Sequence, residues 1–121
     1  MRYDDDQSLF ELPYIKRLEK SRDFKKITST GRVIVRYTAE WCRPCKNFEK
    51  RILPRKDMLR FLKEKDITLL FVDVDDFREL AEEAGVRNLP HVEGYLNGKK
   101  VGSSWTNNNP KTFFYTFFQD E

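Results

Sequence analysis

The chain's only two cysteines stand two residues apart in Trp41-Cys42-Arg43-Pro44-Cys45-Lys46, and this spacing suits a reversible disulfide. Cys42 can attack a partner's disulfide, and Cys45, one turn further in, can resolve the mixed disulfide and release the reduced partner. That chemistry needs a thiolate near neutral pH. The preceding run Val33-Ile34-Val35-Arg36-Tyr37 is rich in β-branched residues and reads as a buried strand, while the residues from Cys42 onward read as a helix whose first turn carries both sulfurs. A thiolate at a helix start meets unpaired backbone N–H groups and the positive end of the dipole, which lowers its pKa below the free value of about 8.5. Pro44 falls in the first turn, where its missing N–H costs no hydrogen bond. Half of a zinc site is the competing reading of two such cysteines. Tetrahedral zinc takes four ligands, and the chain supplies two Cys and one His.

The elements that must hold this junction follow in chain order. Residues 1–10, with three successive aspartates, are expected to be a loosely ordered extension, and 11–121 a single domain. Tyr14 to Leu18 reads as a short edge strand. Asp23 to Ile27 reads as a helix capped by Ser21, with Phe24 and Ile27 inward and Gly31 ending it. A helix from Cys42 to about Leu53 carries an apolar period at Phe48, Ile52 and Leu53 and breaks at Pro54, with a second helical piece to Glu64. Ile67 to Val74 is a continuous apolar run of the kind buried in a parallel sheet. A helix from Phe77 to Ala84 follows, then a hairpin turning at Asn97-Gly98, and a last helix behind Asn109-Pro110. The phenylalanines at 113, 114, 117 and 118 read as core packing. Strand and helix alternating in this way give an α/β plan in three layers.

Composition limits the function classes. A hydrophobic fraction of 39% with 36% charged residues is that of a folded chain with a polar surface, and no apolar run reaches the roughly 18 residues of a membrane span. Met1 to Asp6 lacks the apolar stretch of a secretory signal, so a cytoplasmic, reducing location is expected. The net charge of +3 is too mild to point to nucleic acid. Nine cations crowd the stretch from Arg43 to Lys65 against Glu49, Asp57 and Glu64. They read as a solvated helix face or as a field steering acidic partners toward Cys42.

Trp41, Cys42, Pro44, Cys45 and Lys46 resemble the thioredoxin superfamily's active site, Trp-Cys-Gly-Pro-Cys-Lys, with Arg43 replacing the glycine. The resemblance runs from about Ile15 to the C-terminus. Val72-Asp73-Val74-Asp75-Asp76 is similar to the family's third strand and turn, and Leu89-Pro90 falls where the family carries a cis-proline. The resemblance implies the thioredoxin fold, a central mixed β-sheet flanked by helices on both faces. It also implies protein-disulfide reductase activity through Cys42 and Cys45 with no bound cofactor. Disulfide-containing client proteins would lie in a groove between Trp41, Arg43 and Pro44 on one side and Leu89, Pro90 and His91 on the other, with Leu89 pairing to the client backbone. Electrons would come from a thioredoxin reductase drawing on NADPH or from glutathione, and the protein would act as a monomer. The alternative is a thioredoxin-fold partner-binding module, or a complex subunit, with little turnover.

Four positions depart from the family pattern. Its buried acid, six residues before the first cysteine, is Arg36 here, and the lysine that acid often pairs with corresponds to Phe71. Thr106 stands where many members have glycine, and His91 replaces the threonine after the cis-proline. Glu49, one turn beyond Cys45, is the candidate substitute for the acid. The run Cys45 to Lys50 also resembles the thioredoxin-like C-terminal domain of bacterial transmembrane disulfide reductases, where a glutamate at this position lies near the thiols. Two placements are open: Arg36 and Glu49 pair behind the active site, or Arg36 points to a sheet edge or solvent and Glu49 lies on the surface. Arg43 and His91 bring cationic groups beside Cys42, so a reduction potential less negative than about −270 mV, yet well below about −120 mV, is expected.

Overall fold

The computed structural model describes residues 9–106 and 109–118. Five strands form one sheet: β1 (Ile15–Arg17), β2 (Arg32–Thr38), β3 (Ile67–Asp73), β4 (His91–Leu96) and β5 (Lys99–Ser104). Their spatial order is β1-β3-β2-β4-β5, with β1 and β2 parallel to β3, and β4 antiparallel to both β2 and β5. The sheet is therefore mixed, and β2, which leads into the cysteines, lies at its centre. The run 33–38 is buried throughout because neighbours pair with both of its edges and helices cover both of its faces.

Alternation along the strands sorts the core into two layers. Ile34, Leu69, Phe71 and Val92 face one side with Phe48, Leu53, Met58, Phe61 and Leu62, with Phe113 and Phe114 of the last helix, α5 (Pro110–Phe117), and with Phe118, its C-cap. Val33, Val35, Tyr37, Leu70 and Val72 face the other. There they meet Phe24 and Ile27 of α1 (Asp23–Thr28) and Leu80 and Ala81 of α4 (Arg78–Glu83). Helix α3 (Lys56–Glu64) turns Met58, Phe61 and Leu62 inward and its cations outward, so the basic stretch is a solvated face.

Several local expectations change. Leu9 is buried in the core and Phe10 packs edge-on to Phe71 at 5.5 Å, so the ordered domain begins before residue 11; residues 1–8 of the expected extension lie outside the described residues. Phe71, where the family pattern would put lysine, is thus an apolar contact. Helix α1 has no side-chain cap: the Ser21 carbonyl, not its hydroxyl, accepts the Phe24 N–H at 3.1 Å. The helix after the cysteines is not one α-helix. It runs as α2 (Arg43–Asn47) and then as a π-helical turn over Phe48–Ile52, closed by the Leu53 N–H donating to the Phe48 carbonyl. The wide turn lets both Phe48 and Leu53 reach the core, five residues apart, immediately before Pro54.

Asn97 and Gly98 both have positive φ, as a two-residue hairpin turn between right-twisted strands requires. Asn109 caps α5 by accepting the Lys111 N–H on its side-chain oxygen at 3.0 Å.

Candidate active site

Strand β2 ends at Thr38, and the next residues fold back before α2 begins: the Cys42 N–H donates to the Ala39 carbonyl at 3.1 Å. Cys42 is the N-cap residue of α2 rather than part of its first turn. Its Sγ accepts the Cys45 N–H at 3.3 Å, a contact that satisfies an otherwise orphaned helix donor and favours negative charge on that sulfur. Cys42 and Cys45 form a disulfide across a Cα–Cα distance of 5.3 Å. Both are buried, Cys45 slightly more deeply (1% exposed against 4%). Leu89 and Val74 pack on the pair together with Ala39.

The expected groove residues gather around this disulfide to different degrees. Arg43 and Pro44 are exposed beside it on α2. Trp41 is 69% exposed and held by its indole N–H, which donates to Asp75 at 3.0 Å. The Leu89–Pro90 bond is cis, and Leu89 touches the cysteines while Pro90 is buried. Thr106 is exposed just past β5, its N–H bonded to the Ser104 hydroxyl. Trp105, which sequence reasoning passed over, is 59% exposed in the same segment. Ser104 pairs with Val92 two residues after Pro90, and this register carries Trp105 to the disulfide end of the sheet.

Behind the disulfide, Arg36 is buried rather than directed to solvent, with its guanidinium 3.7 Å from the centre of the Phe48 ring. Burial pulls its pKa down to about 9 and the charge of Glu49 opposes that fall, so the guanidinium still carries its charge at neutral pH. Glu49 is also largely covered, its side chain 20% exposed. It accepts the Thr38 hydroxyl at 3.0 Å and lies 3.3 Å from the Lys46 ammonium. Arg36 is thus neither at a sheet edge nor in solvent, and the charge of the largely covered Glu49 acts on it. A cavity of about 150 Å³ lined by Thr38, Lys46, Glu49 and Asp73 adjoins the carboxylate.

On the opposite sheet face lies a cluster that the sequence did not disclose. Glu93 is fully buried, accepts the Tyr95 hydroxyl at 2.9 Å and lies 3.1 Å from the Lys100 ammonium. The His91 imidazole is 3.8 Å away through Nε2 and stacks edge-on with Tyr37. His91 therefore faces a carboxylate of its own strand. Burial alone would raise the Glu93 carboxyl's pKa; His91, the charge of Lys100 and the Tyr95 hydroxyl outweigh it and hold it below the usual range. The only sequence signal was the i, i+2 spacing of His91, Glu93 and Tyr95, which puts three polar side chains on one strand face.

The same carboxylate raises the pKa of both Tyr37 and Tyr95, with burial the larger cause. The unfolded chain loses these protons near pH 10 while the folded chain keeps them, so the stabilisation is complete below that pH and is lost as pH rises through it. In an absorbance titration at 295 nm, two of the five tyrosines should ionise only as the far-ultraviolet circular dichroism collapses. Full ionisation of all five in the folded protein would contradict this.

The family model for thioredoxin matches residues 15–119. Among curated relatives, thioredoxin-1 of Schizosaccharomyces pombe is 36% identical over 88 residues, spanning 72% of this chain and 81% of that protein. Human thioredoxin is 31% identical over 93 residues, spanning 73% and 82%. Among solved structures, thioredoxin from Trypanosoma brucei brucei superposes with a TM-score of 0.73 at 22% identity, covering 90% of this chain and 94% of that one. Oxidised mitochondrial thioredoxin 3 from Saccharomyces cerevisiae gives 0.72 at 20% identity, covering 95% and 98%. These two share the fold.

Proposed function

The chain belongs to the thioredoxin family, and from that premise we propose how this thiol–disulfide oxidoreductase divides the work between its residues. It reduces protein disulfides. Cys42, as thiolate, attacks one sulfur of a client disulfide; a Cys42–client bond forms and the client's second sulfur departs as thiolate. Cys45 then loses its proton and attacks the Cys42 sulfur, closing the disulfide as the second client thiolate departs and takes up a proton. Two electrons pass to the client. The observation that carries this assignment is the Cys45 N–H bonded to the Cys42 sulfur at the start of α2, which favours charge on Cys42 rather than on Cys45.

Glu49 is the proton acceptor for Cys45 in this scheme. It stands four residues on from Cys45 in the π-helical turn, largely covered, where it accepts the Thr38 hydroxyl and faces the Lys46 ammonium. Glu49→Gln should leave the first attack nearly unchanged and slow resolution by about tenfold or more, seen as accumulation of the mixed disulfide in quenched-flow gels. Equal resolution rates in the two proteins would remove Glu49 from the scheme.

The groove would hold an extended client segment against Leu89, with Trp41, Arg43 and Pro44 opposite. The electron donor would be a thioredoxin reductase using NADPH, or glutathione, serving the redox balance of the cytoplasm, with the protein acting as a monomer. The test is insulin reduction coupled either to NADPH with a thioredoxin reductase or to glutathione. NADPH consumption that depends on this protein supports the first donor. Turnover with dithiothreitol alone would exclude both.

A further inference from the structure

Among the described residues, the large hydrophobic side chains that stay more than half exposed are Trp41, Trp105 and Tyr115. Tyr115 lies on α5 against Phe61 and Phe114, whereas both tryptophans stand at the disulfide end of the sheet. Trp41 is already a wall of the groove, and Trp105 has no part in the scheme above.

Topology decides what Trp105 can reach. Strands β2, β4 and β5 are consecutive neighbours and all meet the disulfide end: β2 runs out through Thr38 toward Trp41 and Cys42, β4 starts at His91 just after the cis Leu89–Pro90 bond, and β5 finishes at Ser104. Tyr37 pairs with His91 and Val92 with Ser104, so one further step in register brings Trp105 level with His91. Neighbouring strands lie about 4.8 Å apart, which puts β5 about 10 Å from β2 with the Leu89–Pro90 segment between them. Leu89 itself packs on the cysteine pair. A client strand laid along Leu89 therefore has Trp41 on one side and Trp105 on the other. At about 3.3 Å per residue, its side chains one or two positions from the reacting cysteine fall within reach of Trp105.

The segment around this ring suits an apolar contact. No residue from Val101 to Thr106 carries a charge, and the Thr106 N–H donates to the Ser104 hydroxyl at 3.2 Å, closing a turn that spans Trp105 and fixes its backbone. A tryptophan has only two side-chain torsions to freeze, so a ring held out on a fixed backbone gives up little entropy when a partner covers it. Covering it also removes apolar surface from water.

We propose that Trp105 is a specificity-determining residue of the client groove: it covers an aromatic or aliphatic side chain one or two positions from the client's reacting cysteine, and so selects clients whose disulfide is flanked by apolar residues. The inference rests on the client lying against Leu89 as assigned above. Trp105 acts on binding rather than on the sulfurs, so its effect belongs in KM and kcat/KM and not in kcat.

The test uses two peptide disulfides, identical except that the two residues on each side of the reacting cysteine are Phe in one and Ser in the other. The native protein should reduce the Phe peptide with a kcat/KM about tenfold above that of the Ser peptide, the difference lying in KM. Trp105→Ser should cut that preference to about twofold or less, and Trp105→Phe should keep most of it. Both variants should reduce 2-hydroxyethyl disulfide, which has no flanking residues, at the native rate. The chain has two tryptophans, so Trp41→Phe combined with Cys45→Ser leaves Trp105 as the sole reporter in a trapped Cys42–peptide disulfide. Its emission should move to shorter wavelength with the Phe peptide and return when dithiothreitol releases it. An emission unmoved by the Phe peptide would overturn the proposal, as would a preference that survives Trp105→Ser or a native protein that treats both peptides alike. Equal losses on 2-hydroxyethyl disulfide and on the Phe peptide would make the role of Trp105 structural and overturn it too. A native protein unable to reduce 2-hydroxyethyl disulfide would sink the thiol scheme as well, whereas failure of this inference alone leaves that reduction intact.

Discussion

Cys42→Ser is expected to reduce insulin no faster than dithiothreitol alone, losing the whole catalytic excess rather than a fraction of it. A hydroxyl at this position can neither ionise near neutral pH nor form the mixed disulfide, so no partial route through Cys42 survives. Nor can Cys45 take over as the attacker. It is 1% exposed, and the N–H at the helix start is bonded to the Cys42 sulfur. Cys45→Ser separates the two roles: attack proceeds and resolution does not, so clients should accumulate as dithiothreitol-sensitive adducts on Cys42. If Cys42→Ser retained turnover while Cys45→Ser lost it, the division of labour would be reversed. If both retained it, the disulfide would not be the reacting group.

The cysteine pair, its strand and its helix were legible because each carries a local signal: two thiols at fixed spacing, a β-branched run and a proline in the first turn. The Asn97-Gly98 turn and the Asn109 cap were legible for the same reason, since turn and cap chemistry is set within four residues. What escaped depends on contacts between distant segments. For Arg36 the sequence left both a buried position behind the active site and an edge or solvent position open, and it is the cover of Phe48 from the π-helical turn that decides between them. That turn is itself invisible to a 3.6-residue pattern, because the extra residue shows only in where Phe48 and Leu53 end up. Glu93 appeared as one of many acids. Its role exists only because Lys100, Tyr95 and His91 meet it across two strands. Leu9 lay within a polar stretch whose aspartates suggested solvent, although its own side chain is core.

Gly102→Ala should unfold the protein at a temperature lower by about 5 °C or more, although both residues are small and Gly102 lies in a strand where alanine is ordinarily no worse. The four phenylalanines near the C-terminus were read as core, and they are, but the surface that receives them carries two glycines that no pattern marked. Gly94 and Gly102 are direct partners across β4 and β5, leaving a bare strip under α5. A Cβ at Gly94 would lie 2.7 Å from Phe113 and 2.9 Å from Phe118, and one at Gly102 would overlap the Phe117 ring. Phe113 and Phe118 are themselves fully buried, so neither ring can retreat at Gly94, and overpacking there should cost about 1–3 kcal/mol or more. Phe117 is only partly buried, which makes the Gly102 overlap reversible by design: adding Phe117→Ala to Gly102→Ala should recover stability. The pair would then be less damaging than the sum of the single changes by about 1 kcal/mol or more in denaturant melts. Additive losses would mean that the strand, not the ring, demands glycine. The consequence reaches the active site because β4 begins at His91, directly after Pro90. The packing of α5 on this bare strip holds the strand that supplies both Leu89's wall of the groove and the Glu93 carboxylate beneath it.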